Sequence, residues 1–418
     1  MAESERAYGR RILSHTDMND ARKTLPALEG GTPVRGDFLS FYRPAVDQDD
    51  IDAVVNAVKS GWLTLGPQTV RFERELETAL RVKHVVALSS CTEAMFLALM
   101  ALDIGPGDEV ITSPLTFAST VHAILHTGAT PVLADIEQTT FGLDPAAVRA
   151  RLTPRTRAIL PVHYGGQACK IDELLAIARE HDLAVVEDAA HAFGASRNGI
   201  PVGSFGDATA FSFYATKNIT TGEGGCVATG RDDIADKIRK LGFHGITRDA
   251  WKRYADRGAW YYEVEMPGYK SNMSDILASL GLSQLKKTKR ILERKSAIAA
   301  RFIERLADQP CFELPETASG NVHTWHLFVL RLNLAALRID RDHFIKALTE
   351  ENIGSSVHFI PIHNHPFFKP LLRSGDRFPV CDDFFSRCIS LPIFAGMNER
   401  DESSVVEALS KLASYYGT

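Results

Sequence analysis

Cysteine is scarce in this chain of 418 residues, which contains six of them. No two cysteines form a Cys-x-x-Cys pair, and none has the spacing of a structural zinc site. Disulfide frameworks belong to short secreted chains with a much higher cysteine content. We therefore expect free thiols and a protein that works in the reducing cytoplasm.

Long apolar runs and blocks of one charge are also absent. No apolar run approaches the ~18 residues of a membrane-spanning helix, and the charged start of the chain lacks the apolar core of a signal peptide. Lysine and arginine form no cluster and the net charge is −5, which argues against nucleic acid as a partner. With 45% hydrophobic and 24% charged residues, the composition is typical of a globular protein large enough for two domains.

The order of predicted elements indicates an α/β fold. Between 85 and 229, apolar runs typical of buried strands alternate with helical segments, which predicts a mostly parallel sheet covered on both faces. We assign 1–36 to a polar N-terminal extension, 37–290 to a large domain and 291–418 to a small α+β domain. A helix over 275–306 is predicted to join the domains. Strands are predicted in the small domain at 325–332 and near 356–359.

Asp188 and Lys217 form the strongest functional signal. Each follows an apolar run, so each is expected at the C-terminal edge of the sheet, where open α/β sheets bind ligands. A carboxylate there can hold the ring nitrogen of pyridoxal phosphate protonated, and a lysine can form a Schiff base with its aldehyde. Taken singly, such an aspartate more often caps a helix, and such a lysine is more often solvated. The glycine-rich stretch 222–225 favours the cofactor, because glycine permits close backbone approach.

A phosphate site is predicted where a strand leads into a helix at 89–94. The backbone N–H groups there, with Thr92 and Glu93, suit an anion at a helix N-terminus. A plain helix cap by Ser90 or Thr92 is the alternative. Ser212 is a second candidate for the phosphate, or else a buried strand serine bonded to the backbone.

Phe117 and His191 are candidate contacts of the pyridine ring. Phe117 follows a predicted strand and suits an offset stack, although core packing explains it equally well. His191 lies one helical step beyond Asp188 and suits the cofactor's 3-hydroxyl. The remaining loop histidines show no HExxH or paired Cys/His spacing, so we predict no metal site. They are His163, His244, His323, His326, His358, His363 and His365.

Taken together and in this order, these motifs resemble the DegT/DnrJ/EryC1/StrS family of sugar aminotransferases. The likeness runs from residue 38 to the end of the chain. The matching segments are 60–67, 89–92, 105–110, 116–117, 161–165, 187–191, 211–225, 268–275 and 390–392. The resemblance implies a pyridoxal phosphate enzyme of fold type I that forms homodimers with active sites at the subunit interface.

The resemblance assigns the chemistry to Lys217 and Asp188. Lys217 would bond the cofactor, be displaced by an amino donor (glutamate in this family), and then carry a proton between donor and cofactor. Asp188 would keep the ring nitrogen protonated, so that the ring takes up the released electrons. Some relatives have histidine in place of the lysine and dehydrate their substrate, which Lys217 argues against.

The same resemblance implies the remaining roles in cofactor binding. Thr92 and Ser212 would contact the phosphate, and Phe117 would stack on the ring. His191 would contact the 3-hydroxyl. Asn272 would reach the phosphate bound in the neighbouring subunit.

Within the family, the chain looks most like enzymes that aminate UDP-4-keto sugars, such as the one that makes UDP-4-amino-4-deoxy-arabinose. The segments that carry this likeness are 161–164, 243–245, 268–270 and 324–328. Cys91 stands where many family members have Gly or Ala, and Phe117 where that branch often has Trp. Residues 30–35 are more similar to the aminocyclitol and antibiotic-sugar enzymes.

Three functions are compatible with these features. The first is amino transfer from glutamate to a nucleotide-linked keto sugar, with Lys270 and 358–368 as candidate sugar contacts. The second is amino transfer to a keto-cyclitol in antibiotic-type biosynthesis. The third is a regulatory protein that binds pyridoxal phosphate without turnover, which the presence of Lys217, Asp188 and Ser212 disfavours.

Overall fold

The strands fall where the sequence has short buried apolar runs. The computed structural model describes residues 24–246 and 262–418. Its strands are β1 (His84–Leu88), β2 (Glu109–Thr112), β3 (Thr130–Leu133), β4 (Thr156–Leu160), β5 (Ala184–Asp188), β6 (Ser196–Arg197), β7 (Ile200–Pro201), β8 (Ala208–Ser212), β9 (Gly225–Thr229), β10 (Phe312–Glu313), β11 (Asn321–Val322), β12 (Phe328–Leu332) and β13 (Cys388–Leu391).

The main sheet has seven strands in the order β1-β9-β8-β5-β4-β2-β3. Neighbours from β8 to β3 are parallel, whereas β9 runs antiparallel to both β8 and β1. The α/β fold with a mostly parallel sheet is thus confirmed. Because β5 and β8 are parallel neighbours, with Asp188 opposite Ala210, their C-terminal ends meet at one edge of the sheet.

Helices cover the sheet and build most of the small domain. They are α1 (Gln48–Lys59), α2 (Pro67–Leu80), α3 (Cys91–Ala101), α4 (Ala118–His126), α5 (Pro145–Arg151), α6 (Ile171–His181), α7 (Asp232–Leu241), α8 (Asp275–Leu306), α9 (Arg341–Glu350), α10 (Pro379–Arg387) and α11 (Glu399–Tyr416). Helix α3 is apolar on nearly all sides and is buried against the sheet, as expected for a helix without a polar face.

The long helix α8 joins the two parts of the chain. Its beginning packs on α1 and α2, and its end supplies Ile298, Phe302 and Leu306 to the core of the small domain. Since the helix continues across 290–291, the division of domains at that point stays a prediction. Phe302 is fully buried, so truncation to alanine should cost about 3–5 kcal/mol.

The small domain contains an antiparallel sheet of β10, β12 and β13. The strand predicted over 325–332 begins at Phe328. The strand predicted near 356–359 is wrong, because Ser356 forms only an isolated bridge with Ser390. After Ser356 the chain leaves this sheet, and Phe359 packs against His191.

The N-terminal extension was predicted over 1–36, and residues 1–23 lie outside the described part. From Ala27 onward the segment is bound to the small domain, because the Glu351 carboxylate accepts hydrogen bonds from the N–H groups of Ala27 and Val34 at 2.8 Å each. All six cysteines are free and buried, which confirms the prediction of free thiols. Within the described ranges, no helix has the length and apolar character needed to cross a membrane.

Candidate active site

Asp188 ends strand β5 and is buried, with 4% of its surface exposed. Thr120 on α4 donates its hydroxyl to Oδ2 at 2.8 Å, and the N–H of Ala190 donates to Oδ1 at 3.0 Å. Each carboxylate oxygen therefore has one protein donor and a further lone pair for a ligand. Thr120 was not predicted from the sequence as part of the site.

Lys217 follows β8 in a turn in which its N–H donates to the carbonyl of Tyr214 at 2.9 Å. The hydroxyl of Tyr42, a second residue that the sequence argument missed, donates to the carbonyl of Lys217 at 2.8 Å. Burial lowers the pKa of the Lys217 amine to about 8, although Cys91 and Asp188 act in the opposite direction. Near neutral pH, part of the Lys217 amine population is therefore unprotonated. A nucleophile or general base must be unprotonated to react.

The turn at 89–94 leads from β1 into α3. Ser90 caps the helix by accepting the N–H of Glu93 at 3.1 Å, so the predicted cap is present. Thr92 lies in the first turn of the helix, where unpaired N–H groups favour an anion. A Cβ atom on Gly225 would lie 2.4 Å from the backbone nitrogen of Cys91, which explains why β9 begins with glycine.

Glu93 belongs to this turn, and Ser212 ends strand β8. The Glu93 carboxylate accepts a hydrogen bond from the Ser271 hydroxyl at 2.7 Å. Ser212 is buried at the end of β8, and its hydroxyl accepts the N–H of Tyr214 at 3.3 Å. Ser212 thus shows the backbone contact of a strand serine at the edge where Asp188 and Lys217 lie.

His191 and Phe117 lie around the same edge. Burial, followed by the positive charge of Lys217, holds the pKa of His191 well below its ordinary value, so its ring is neutral. Its Nδ1 accepts the N–H of Gly165 at 3.4 Å. Phe117 precedes α4 with 62% of its surface exposed, which is contrary to core packing. Phe359 of the small domain contacts both rings, at centroid distances of 5.6 Å to His191 and 5.8 Å to Phe117.

Asn272 lies beside the turn at 89–94, because it follows Ser271, the hydroxyl donor to Glu93. It forms an isolated bridge with Leu88, the last residue of β1, and its amide oxygen accepts the Lys270 ammonium at 2.5 Å. The Lys270 ammonium also lies 4.3 Å from the centroid of the Phe243 ring. Lys270 is thus an exposed lysine with two defined contacts.

A third feature that the sequence argument missed is the buried pair of Lys295 and His326. The Lys295 ammonium donates to the amide oxygen of Asn218 at 2.9 Å and to the carbonyl of His326 at 3.4 Å. The His326 ring lies 4.4 Å from that of His191, and its buried Nδ1 has no hydrogen-bond partner among the described residues. Lys295 and His326 lie 77 and 108 residues beyond Asn218 in the chain. No local sequence pattern therefore indicated that these residues meet.

These residues fit pyridoxal phosphate. A buried carboxylate, a lysine with a lowered pKa, an exposed aromatic face and a capped helix N-terminus converge at one edge of a mostly parallel sheet. This combination defines the class of pyridoxal-phosphate-dependent enzymes. When bound, the cofactor supplies an aldehyde for an amine and a ring that takes up electrons.

Comparison with known proteins identifies the family. The sequence profile of the DegT/DnrJ/EryC1/StrS aminotransferase family matches residues 44–410. The spore coat polysaccharide biosynthesis protein SpsC of Bacillus subtilis is 47% identical over 377 residues, covering 90% of this chain and 97% of SpsC. The chain therefore belongs to this family and is a pyridoxal-phosphate-dependent aminotransferase, as the resemblance predicted.

Solved structures agree with this assignment. A putative sugar aminotransferase from Streptococcus pneumoniae, Spr1654 in its PMP form, superimposes with a TM-score of 0.85 at 32% identity, covering 90% of this chain and 99% of that one. Helicobacter pylori PseC, an aminotransferase of pseudoaminic acid biosynthesis, gives 0.83 at 27% identity, covering 90% of this chain and 100% of PseC.

Proposed function

We propose that this aminotransferase moves an amino group from glutamate to a keto sugar carried on a nucleotide, most specifically a UDP-linked 4-keto sugar. The likeness to SpsC, a polysaccharide biosynthesis protein, supports a sugar acceptor. The observation that carries the amino transfer is the convergence of buried Asp188 and Lys217 at one edge of the sheet. The free cysteines support a cytoplasmic reaction.

Lys217 and Asp188 divide the chemistry between them. Lys217 would hold the cofactor through its Nζ and, once an amino donor takes its place, would move the proton with the same nitrogen. Its lowered pKa suits a group that must both accept and release a proton. Asp188, fixed by Thr120 and Ala190, holds the ring nitrogen protonated and stabilises the charge that the ring acquires.

The other residues bind and orient the cofactor. Neutral His191 contacts the 3-hydroxyl, and Phe117 presents its exposed face to the ring. Thr92, Glu93 and Ser212 line the phosphate end at the start of α3, where the helix terminus favours an anion.

The small domain closes the acceptor side of the site. Tyr164 donates its hydroxyl to the carbonyl of His358, which fixes the segment 358–368 beside the cofactor contacts. Its Ile360 and Phe367 are 50% and 64% exposed and offer an apolar surface to a sugar nucleotide.

Lys270, in the large domain, supplies a cation for the diphosphate of the sugar nucleotide.

The site is shared between two subunits in this proposal, with Asn272 reaching the partner's cofactor phosphate. Helix α1 and its flanks support a dimer, because they expose a row of large apolar side chains. These are Val46, Ile51, Val55, Val58 and Leu63, each 40–52% exposed.

A panel of acceptors tests the proposed substrate. The protein is first converted to its aminated cofactor form with glutamate, which should change the cofactor's absorbance. Nucleotide keto sugars and free keto-cyclitols are then added, and return of the original absorbance is followed. We expect UDP-4-keto sugars to react fastest. Faster reaction of a free keto-cyclitol would refute the substrate class, and no response to any amino donor would identify a binding protein without turnover.

A further inference from the structure

Lys295 on α8 is a buried lysine that the amino-transfer mechanism does not use. Only 1% of it is exposed. Its ammonium donates to the amide oxygen of Asn218 at 2.9 Å and to the carbonyl of His326 at 3.4 Å, and lies 6.0 Å from the centroid of the Tyr42 ring. Burying an ammonium is costly without an anionic partner, so its retention requires an explanation.

Two other shielded lysines, Lys287 and Lys411, have carboxylate partners. Lys287, also on α8 and 11% exposed, pairs with both Asp47 and Asp50 at 2.6 Å. Lys411, 9% exposed, pairs with Glu351 at 2.8 Å. Lys295 forms no ion pair with any described residue, and both its hydrogen bonds go to neutral oxygens. Packing alone does not require such a charge, because methionine has nearly the same shape.

The contacts of Lys295 lead directly to Lys217. Asn218, which accepts its hydrogen bond, is the next residue after Lys217. Tyr42, whose ring faces the ammonium, donates its hydroxyl to the carbonyl of Lys217 at 2.8 Å. Tyr42 therefore holds the peptide group after Lys217, and Lys295 holds the side chain of the next residue, Asn218.

The charged and titratable groups around Lys295 are nearly all basic. Lys217, His326, His323 and His191 lie close enough to interact with its charge, and burial keeps the pKa of each of these imidazoles below its ordinary value. Burial and then the charge of Lys217 lower the pKa of Lys295 to about 7. The acidic groups that face the pair are the phenol of Tyr42, beside Lys295, and Asp188 and Cys91, which act on Lys217. Two ammonium groups in one buried space destabilise each other.

We propose that Lys295 is a positioning residue for Lys217: its ammonium holds the side chain of Asn218, the next residue, and so fixes the place of the Lys217 amine. This inference rests on the proposed role of Lys217 in bonding the cofactor. Because the two amines interact, their protons leave in steps that belong to the pair.

Four variants separate the effect of the Lys295 charge on Lys217 from the effect of Lys295 packing. Lys295→Met keeps the shape and removes both the charge and the Asn218 contact. Lys295→Gln removes the charge but keeps a donor for Asn218, and Lys295→Arg makes the charge permanent. Lys287→Met is the matched control, because it removes a shielded lysine of the same helix that has its own carboxylate partners.

The readout is the titration midpoint of the Lys217 nitrogen. In the holoenzyme it is followed by the pH dependence of the bound cofactor's absorbance. In cofactor-free protein it is followed by the pH dependence of Lys217 acetylation, read by peptide mass spectrometry. We expect Lys295→Met, which removes the like charge and releases Asn218, to raise the midpoint, and Lys295→Gln, which keeps a donor for Asn218, to raise it less. Arg should lower it, and Lys287→Met should match the wild type.

The outcomes separate this proposal from the proposed function. An unchanged midpoint in folded Lys295→Met, with only a lower melting temperature, would show a structural lysine and overturn the proposal. If the wild-type cofactor proved not to be bonded to Lys217, the proposed function would fail. The acetylation midpoints would still decide whether Lys295 acts on Lys217.

Discussion

Replacing Asp188 with asparagine removes one charge and almost no volume. In the native site Oδ1 accepts from Ala190 at 3.0 Å and Oδ2 accepts from Thr120 at 2.8 Å. The asparagine oxygen can keep the Ala190 contact, and its NH₂ group can donate to the Thr120 hydroxyl. The remaining amide hydrogen then points where the protonated ring nitrogen should donate, so the ring nitrogen is no longer held protonated.

The magnitude follows from the lost interaction. A buried hydrogen bond to a charged group contributes about 1.5–3 kcal/mol. Loss of one preorganised electrostatic partner typically lowers kcat by about 10²–10³-fold. We therefore expect Asp188→Asn to lower the rate of the glutamate half-reaction by about that factor, with the fold retained.

Stopped-flow absorbance on cofactor-saturated protein measures this rate. Asp135→Asn is the control, because the Asp135 carboxylate accepts the N–H groups of Val380 and Cys381 at 3.0 and 3.1 Å at the start of α10 and has no proposed role in the reaction. A near wild-type rate for Asp188→Asn with the cofactor still bound would refute the reasoning.

Three further predictions follow from the same contacts. Lys270→Ala should raise KM for the sugar nucleotide and leave the glutamate half-reaction unchanged; an equal loss in both half-reactions would contradict a sugar contact. When Lys217→Ala and Asn272→Ala subunits are mixed and exchange, part of the activity should return, because each heterodimer has one wild-type site. No recovery despite proven exchange would rule out shared sites. Burial lowers the pKa of Lys295 from 10.5 to about 7, so between these values the folded protein binds fewer protons than the unfolded chain and wild-type stability rises with pH. The stability of Lys295→Met relative to wild type should therefore be greatest near pH 7 and decline towards pH 10.5 in urea unfolding; a constant difference would contradict it.

The large sheet was predictable because its strands are short apolar runs between helical segments. The strands β5 and β8 are buried from their second and first residues onward, so their ends, with Asp188 and Ser212, could be placed on one edge. The strand predicted at 356–359 was wrong because the apolar side chains of this segment pack at the candidate site and not within a sheet. Phe359 packs against His191 and Phe117, and only Ser356 pairs with β13.

The contacts that hold the two central residues could not be predicted from local sequence. Thr120 reaches Asp188 across 68 positions, and Tyr42 reaches Lys217 across 175. Lys295 lies in a helix with several other lysines, and only the fold shows that its ammonium is buried against Asn218. Such contacts depend on how the elements pack, which hydrophobic periodicity does not specify.

The central claim is that Lys217 bonds the cofactor, and one measurement tests it most directly. The holoenzyme is treated with borohydride, which fixes the cofactor to its lysine, and the digested protein is analysed by mass spectrometry. We predict the cofactor's mass on the peptide that contains Lys217, and none on that peptide in Lys217→Ala. Finding the cofactor on another lysine, such as the nearby Lys295, would contradict the account.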